Sequence, residues 1–267
     1  MRGPDGQRRT DGPLPDVGAI IFDVDGTLAE TEEVHRRAFN TVFETFGLPW
    51  YWDADTYRAL LRVGGGRERL RAFLAQTGVA VELGRIDAVH REKSRLYAAW
   101  IAQGQVRARP GVLRLLAEAR AAGVRLACAT SSQRSAVEAL LRSLLGPHVA
   151  TVFAVLGCGE DVPHKKPEPD IYRWVVERLG VEAAACLVIE DSAIGLAAAT
   201  AAGLPAVVTL SAYSEPLHEG GFAAALAVVS DLGEPQRPFA LLAGEDPGHG
   251  VVDLPLLRVW RTRHGAG

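Results

Sequence analysis

The chain contains little sulfur, with three cysteines and a single methionine in 267 residues. Cys128, Cys158 and Cys186 lie in or beside apolar runs, and they form neither a Cys-x-x-Cys pair nor a zinc-ligand spacing. A small secreted fold stabilised by disulfides would need more cysteines at closer spacing. We therefore expect three reduced core residues in a cytoplasmic protein.

Long apolar runs and an excess of one charge sign are also missing. No stretch approaches the ~18 consecutive apolar residues of a membrane span. The 29 basic and 32 acidic residues nearly cancel, to a net charge of −3, so the chain lacks the basic signature of nucleic-acid binding. With 48% hydrophobic residues, the composition predicts a globular protein. We expect a monomer with no nucleic-acid or membrane partner.

Two carboxylates follow the first strongly apolar segment. The run Ala19–Phe22 leads directly into Asp23 and Asp25, and Gly26 can bend the second acid back toward the first. Such a pair suits phosphoryl transfer, in which one acid attacks phosphorus and the other moves a proton. By itself, the pattern favours a polar strand end with a solvated turn.

Further polar residues follow three later apolar runs. Thr130 ends the second run, where a hydroxyl can bind phosphate or cap a helix. Lys166 stands before a proline-framed helix start, although a solvated basic loop would look similar. Glu190 and Asp191 end another run, where adjacent acids are costly unless a cation compensates them. Mg²⁺, which prefers carboxylates and water, would suit that position.

The order of these motifs resembles the haloacid dehalogenase (HAD) superfamily. The resemblance implies that Asp23 is the nucleophile and becomes an aspartyl phosphate, while Asp25 is the general acid and base. It further implies that Thr130 binds the phosphate and that Lys166 neutralises its charge. The dehalogenase branch lacks the second acid, so Asp25 favours phosphate chemistry. The resemblance also implies a Mg²⁺ site formed by Asp23, the backbone carbonyl of Asp25, and Glu190 or Asp191.

The apolar runs alternate with helical stretches, which predicts an α/β fold with a doubly wound parallel sheet, similar to a Rossmann core. Strands are predicted at 18–23, 124–129, 151–156, 185–189 and 206–209. A mostly helical segment interrupts this pattern and predicts an inserted cap domain. We expect a disordered leader over 1–16, a core over 17–29 and 107–233, a cap over 30–106, and an extension of unknown role over 234–267.

The predicted cap region contains the segments Ala29–Asn40, Leu48–Asp53 and Gly64–Arg69, and in these it resembles the CbbY branch of the β-phosphoglucomutase-like group. That resemblance implies substrate contacts from the cap by Glu32, His35, Tyr57, Gly65 and Arg67. From the core side, Ser131 and Arg134 are candidates for phosphate contacts. Each has a structural alternative, because His35 and Tyr57 could simply be core residues and Arg67 could be a solvated helix start. Lys93 resembles a cap lysine of the mutases, but we expect it to be a solvated charge.

The CbbY resemblance implies a Mg²⁺-dependent phosphatase that converts xylulose-1,5-bisphosphate, an inhibitor of Rubisco, to xylulose-5-phosphate. The expected partner is thus a small sugar bisphosphate. Three alternatives stay open: β-phosphoglucomutase, a broader sugar phosphatase, and a non-catalytic sugar-phosphate sensor. The shared core motifs do not separate the phosphatase from the mutase, whereas the intact acid pair argues against the sensor.

Overall fold

One sheet organises the residues that the computed structural model describes, which are 17–78, 83–215, 217–219 and 221–264. Its strands in chain order are β1 (Ala19–Phe22), β2 (Arg125–Ala129), β3 (Val155–Gly157), β4 (Cys186–Glu190), β5 (Ala206–Thr209), β6 (Ala227–Val229) and β7 (Leu241–Ala243). The spatial order is β3-β2-β1-β4-β5-β6-β7, parallel except for β7. The predicted doubly wound α/β sheet is confirmed. The predicted leader over 1–16 lies outside the described residues.

Helices cover both faces of the sheet, which explains why its strands are apolar throughout. Ile20 and Phe22 of β1 point into one buried cluster, while Ala19 and Ile21 point into the other. The first cluster includes residues of α5 (Val112–Ala121), α6 (Arg134–Leu145) and α10 (Leu254–His264), and the second includes residues of α8 (Asp170–Leu179) and α9 (Ala193–Ala201). Within the described residues, every helix falls short of the length and apolarity that crossing a bilayer requires.

The third strand begins later than the sequence pattern predicted. Residues Val149–Val152 form a short helix, α7, and the strand itself spans Val155–Gly157. The prediction of a strand over 151–156 was therefore wrong in its first half. Pro147 starts a helical turn at this point, and the turn continues into α7 despite its β-branched residues.

The segment after residue 233 is part of the core. Strand β7 pairs with β6, and α10 packs on α5. The α10 residues Leu257 and Trp260 are buried in the first core cluster. Strands β6 and β7 were not predicted, because runs of three residues carry almost no periodic signal.

Four helices lie between β1 and α5, in the segment 30–106, which we call the helical insert. They are α1 (Glu32–Thr45), α2 (Ala54–Leu60), α3 (Gly66–Thr77) and α4 (Leu83–Ala102). Aromatic residues, among them Phe39, Phe43 and Trp52, form a separate buried cluster within the insert. Helix α4 also packs on α6, so the insert contacts the sheet-covering layer.

One buried arginine joins the two ends of the helical insert to the sheet. Ala29 and Ala108 form an isolated bridge, and the N–H of Arg109 donates to the carbonyl of Leu28 at 2.9 Å. The Arg109 guanidinium pairs with Glu30 at 3.0 Å. It also donates to backbone carbonyls of Gly26, Thr209, Leu210 and Ser230. The insert is thus attached at the carboxyl ends of β5 and β6.

Candidate active site

The predicted motifs meet at the carboxyl ends of β1, β2 and β4, under the helical insert. They line a cavity of about 180 Å³, where parallel sheets bind their ligands. The core side contributes Asp23, Asp25, Thr130, Ser131, Lys166 and Asp191, and the insert contributes Glu32, His35, Gly65 and Arg67. Residues that are distant in sequence are thereby brought to one site.

Lys166 lies between two buried carboxylates. Its Nζ donates to Asp23 Oδ1 at 2.6 Å and to Glu190 Oε1 at 2.5 Å. Burial alone would lower the pKa of Lys166, but these two carboxylates raise it well above its usual value. Lys166 is therefore a permanent cation beside the carboxylate predicted to attack phosphorus.

Glu190 has both carboxylate oxygens occupied by donors. Oε1 accepts from Lys166 and from the hydroxyl of Tyr172 at 2.7 Å. Oε2 accepts from the backbone N–H of Asp191 at 3.0 Å and from Ser192. A Cβ at Gly195 would lie 1.9 Å from this carboxylate, so only glycine fits there. Glu190 therefore serves mainly as a fixed counter-charge to Lys166.

Asp23, Glu190 and Asp191 together form an acidic cluster that could hold a cation, with one oxygen or more of each lying within 4.8 Å of the others. Burial raises the pKa of Asp23 and of Asp191, and the neighbouring carboxylates raise both further. One lysine does not neutralise three buried acids, so a divalent cation fits the charge and the oxygen donors. Of the two ligands left open, the geometry favours Asp191, because close donors occupy both oxygens of Glu190, whereas Asp191 Oδ1 accepts, within the described part of the chain, only from Thr27, at 3.5 Å.

Asp25 accepts hydrogen bonds from three side chains. Thr31 Oγ1 donates at 2.6 Å and His35 Nε2 lies at 3.0 Å from the same carboxylate oxygen, while Ser132 Oγ donates to the other oxygen. Burial alone would raise the pKa of Asp25, but these partners, His35 above all, hold it below its ordinary value. The carboxylate is therefore ionised in this arrangement.

His35 links Asp25 to a lysine of the insert. Its Nδ1 lies 2.6 Å from Lys93 Nζ, and its ring stacks on Tyr97 at 3.8 Å. Lys93 is buried and lines the cavity, so the expectation that it would be a solvated charge was wrong. The aromatic rings of Phe39 and Tyr97 cover its stem and ammonium group. A helical pattern alone did not reveal which face of α4 was buried.

Replacing Lys93 by Met should remove a pH dependence of stability. Burial, helped by Arg69, lowers the pKa of Lys93 to about 7 from 10.5. Between these values the unfolded state binds more protons than the folded state, so wild-type stability rises with pH. Methionine does not titrate. The unfolding free energy of the wild type minus that of Lys93→Met should therefore increase by about 2 kcal/mol between pH 7 and pH 9.

Urea unfolding of both proteins at the two pH values measures this difference. Arg91→Met, at an exposed position of the same helix, is the control and should show no such pH-dependent change. Parallel pH profiles of the wild type and Lys93→Met would contradict the prediction.

The segment after β2 presents hydroxyl groups to the cavity. Thr130 Oγ1 accepts from the backbone N–H of Ser132 at 3.0 Å, so it also caps the following turn. The hydroxyl of Ser131 is buried and has no hydrogen-bond partner within the described part of the chain. A buried, unpaired hydroxyl at a cavity wall is suited to a ligand oxygen.

The insert forms one wall of the cavity, the insert wall, which includes Arg67, Arg69, His90 and Lys93. Sequence reasoning missed two of these residues, Arg69 and His90. Arg69 donates to the hydroxyl of Tyr57 at 2.9 Å. Burial and the nearby cations lower the pKa of His90 to about 3, so its imidazole is neutral. The spacing of His90 and Lys93, three residues apart on one helix, was the signal that could have indicated a shared face. Arg67 also lines the wall, 3.3 Å from Asp87 and about 40% exposed.

Two predicted substrate contacts lie elsewhere. Tyr57 is buried behind the wall and donates to Glu32 at 2.7 Å, so it holds Glu32 rather than lining the cavity itself. The Arg134 side chain does not line the cavity; its guanidinium pairs with Asp161 at 2.6 Å and donates to the carbonyl of Leu156. This position does not favour the predicted phosphate contact of Arg134.

The fold and site define a hydrolase of the HAD type, and the family comparison agrees. The model of the haloacid dehalogenase-like hydrolases matches residues 17–203. The chain belongs to this family, and the prediction of a phosphatase is confirmed.

Similarity to CbbY proteins is high. The chain is 44% identical to the plasmid-encoded CbbY protein of Cupriavidus necator over 92% of this chain and 97% of that protein. The crystal structure of CbbY from Rhodobacter sphaeroides with phosphate is 43% identical and has a TM-score of 0.76, covering 80% of this chain and 94% of that one. A variant of the Rhodobacter protein in complex with xylulose-1,5-bisphosphate gives the same values. The resemblance to the CbbY branch is confirmed.

Proposed function

We propose that the chain is a Mg²⁺-dependent phosphatase that hydrolyses xylulose-1,5-bisphosphate to xylulose-5-phosphate and phosphate. The observation that carries the proposal is the pairing of Asp23 with Lys166 and of Asp25 with His35 around one cavity. A nucleophile and a proton carrier are thus held at the same wall by different partners. The bound xylulose-1,5-bisphosphate in the similar Rhodobacter structure supports the choice of substrate.

In the first half-reaction, Asp23 attacks phosphorus and forms an aspartyl phosphate, while Asp25 gives a proton to the leaving sugar oxygen. The pKa of Asp25 is low without substrate, but a phosphate dianion nearby raises it and favours the acid form. In the second half-reaction, the Asp25 carboxylate takes a proton from the water that attacks the aspartyl phosphate. His35 keeps Asp25 oriented in both.

Positive charge around the transferred group comes from two sources. Lys166 supplies a fixed ammonium beside Asp23. Mg²⁺, when bound, supplies divalent charge that stabilises the phosphoryl oxygens. Asp23, the backbone carbonyl of Asp25, and Asp191 would hold it, with Glu190 behind them. Thr130 and Ser131 offer hydroxyls to the phosphate oxygens.

The insert wall suits the second phosphate of a bisphosphate. Arg67, Arg69 and Lys93 all line the cavity on the side of the insert. A monophosphate that reacts at Asp23 has no dianion to place against this wall. The cationic wall therefore supports a bisphosphate substrate over a monophosphate.

The test is release of phosphate with Mg²⁺ from three substrates in parallel: xylulose-1,5-bisphosphate, ribulose-1,5-bisphosphate and β-glucose-1-phosphate. We expect a strong preference for the xylulose compound, with phosphate rather than an isomerised sugar phosphate as product. Arg67→Met should raise KM for the bisphosphate. Arg71→Met, at an exposed position of the same helix, should not. Equal rates on all three substrates would overturn the proposed specificity, and glucose-6-phosphate as the product would indicate a mutase.

A further inference from the structure

The segment that follows β5 contacts both the acidic cluster and the helical insert. We call residues 210–215 the β5 loop. It lies against Gly26, where an added Cβ would be 3.1 Å from Ser211 Oγ. None of its residues belongs to the motifs that the sequence indicated. Its contacts with the acidic cluster on one side and with the helical insert on the other indicate its role.

On one side, two serines of the β5 loop hold Asp191. Ser211 Oγ donates to Asp191 Oδ2 at 2.8 Å, and Ser214 Oγ donates to the backbone carbonyl of Asp191 at 2.6 Å. The N–H of Ser211 donates in turn to Ser214 Oγ at 2.8 Å, which locks the loop to itself. The orientation of the Asp191 carboxylate therefore depends on the position of this loop.

On the other side, Tyr213 docks on the helical insert. Its hydroxyl donates to Glu33 in the first turn of α1. Its ring stands edge-on to Tyr57 with centroids 5.7 Å apart, and the Arg58 guanidinium lies 5.4 Å over the ring.

The neighbouring backbone of Ala212 adds two bonds to the insert. Its carbonyl accepts from Arg58 at 3.3 Å, and its N–H donates to Glu30 at 3.3 Å. The β5 loop thus contacts both α1 and α2 as well as Asp191.

We propose that Tyr213 is a positioning residue that couples cation binding at Asp191 to docking of the helical insert. The inference rests on the proposed Mg²⁺ cofactor. With the insert docked, Tyr213 holds the β5 loop, and Ser211 then holds Asp191 Oδ2 in the orientation seen here. Because such coupling is reciprocal, a cation that fixes Asp191 must favour docking of the insert by the same factor.

The coupling links cation binding in the acidic cluster to substrate binding at the insert. The insert carries Arg67, Arg69 and Lys93 on its side of the cavity, whereas Asp191 lies in the acidic cluster on the core side. Because the β5 loop contacts both the insert and Asp191, the two can reach their binding positions together. Mg²⁺ and the bisphosphate should therefore bind with positive cooperativity, through the β5 loop, whose Tyr213 and Ser214 also line the cavity.

Tyr213→Phe tests the inference, because it removes the bond to Glu33 and retains the ring against Tyr57 and Arg58. Mg²⁺ binding to the full chain, measured by calorimetry without substrate, should weaken about fivefold. Glu33→Gln should weaken it similarly, and the double variant should be no weaker than either single one. Glu44→Gln, at an exposed position of the same helix as Glu33, is the matched control and should bind as the wild type does.

Hydrogen exchange gives the reciprocal readout. Mg²⁺ should slow exchange of α1 and α2 in the wild type, and the effect should be lost in Tyr213→Phe. Wild-type Mg²⁺ affinity and protection in that variant would overturn the coupling while leaving the proposed function intact. Absence of Mg²⁺ binding by the wild type would instead overturn the proposed cofactor and, with it, the inference.

Discussion

Asp23→Asn should abolish phosphate release, with kcat lower by about 10³-fold or more. The amide has the shape of the carboxylate but cannot attack phosphorus, so no aspartyl phosphate forms. Substrate binding should largely survive, because the hydroxyls of Thr130 and Ser131 and the cationic wall remain in place. Steady-state phosphate release and substrate titration by calorimetry separate the two effects.

The same variant should be no less stable than the wild type in the absence of cation. The pKa of Asp23 is raised by burial and, despite Lys166, by Glu190 and Asp25, so the neutral amide relieves repulsion in the acidic cluster. A retained or raised melting temperature shows that lost turnover is not lost folding. Asp246→Asn, at an exposed position outside the site, is the matched control. Unchanged turnover in Asp23→Asn would refute the mechanism.

Lys166→Met should have the largest effect on stability, a loss of about 3–5 kcal/mol at neutral pH. It removes the cation between two buried carboxylates, Asp23 and Glu190, and leaves both without a counter-charge. Without Lys166 the folded-state pKa of Glu190 should rise from its present lowered value. The folded variant then binds more protons than the unfolded chain. Its loss of unfolding free energy relative to the wild type should therefore become smaller toward pH 5.

Urea unfolding of Lys166→Met at pH 7 and pH 5 tests both parts of this prediction. The neighbouring Lys165 donates to the carbonyls of Gly159 and Val162 and pairs with no carboxylate among the described residues. Lys165→Met should therefore cost only about 1 kcal/mol, with little dependence on pH. Equal losses in the two variants would contradict the assignment of the charged pair to Lys166.

The central sheet and the reaction centre were predictable because both leave local signals. Strands buried on two faces are continuous apolar runs, and the polar residues that follow them mark the carboxyl edge. Asp23, Lys166 and Asp191, which lie at one cavity, were predicted in this way. Nothing local indicated whether Glu190 or Asp191 had free oxygens, because that depends on Tyr172 and Ser192.

The insert wall was harder to predict, because its residues are placed by packing between helices. Lys93 looks like an ordinary surface lysine until α1 and α4 are brought together, which buries it against His35. Arg134 shows the opposite case: it follows the hydroxyl-bearing segment after β2 in sequence, but its side chain pairs with Asp161. The role of Tyr213 depends on the docking of one loop between two layers, which no periodicity encodes.

The position of β1 has a consequence for how the chain folds during synthesis. Of the described strands it is the first to be synthesised, yet it lies at the centre of the sheet, where Phe22 pairs with Cys128 on one side and Ile189 on the other. Its apolar residues have no partner strand while the whole helical insert is synthesised, and the second partner strand follows later than the first. Such non-local pairing slows folding and leaves an unpaired strand edge open to aggregation. The helical insert, rich in local contacts, can fold early, whereas the carboxylates of Asp23 and Asp191 cannot come together before β4 has been translated.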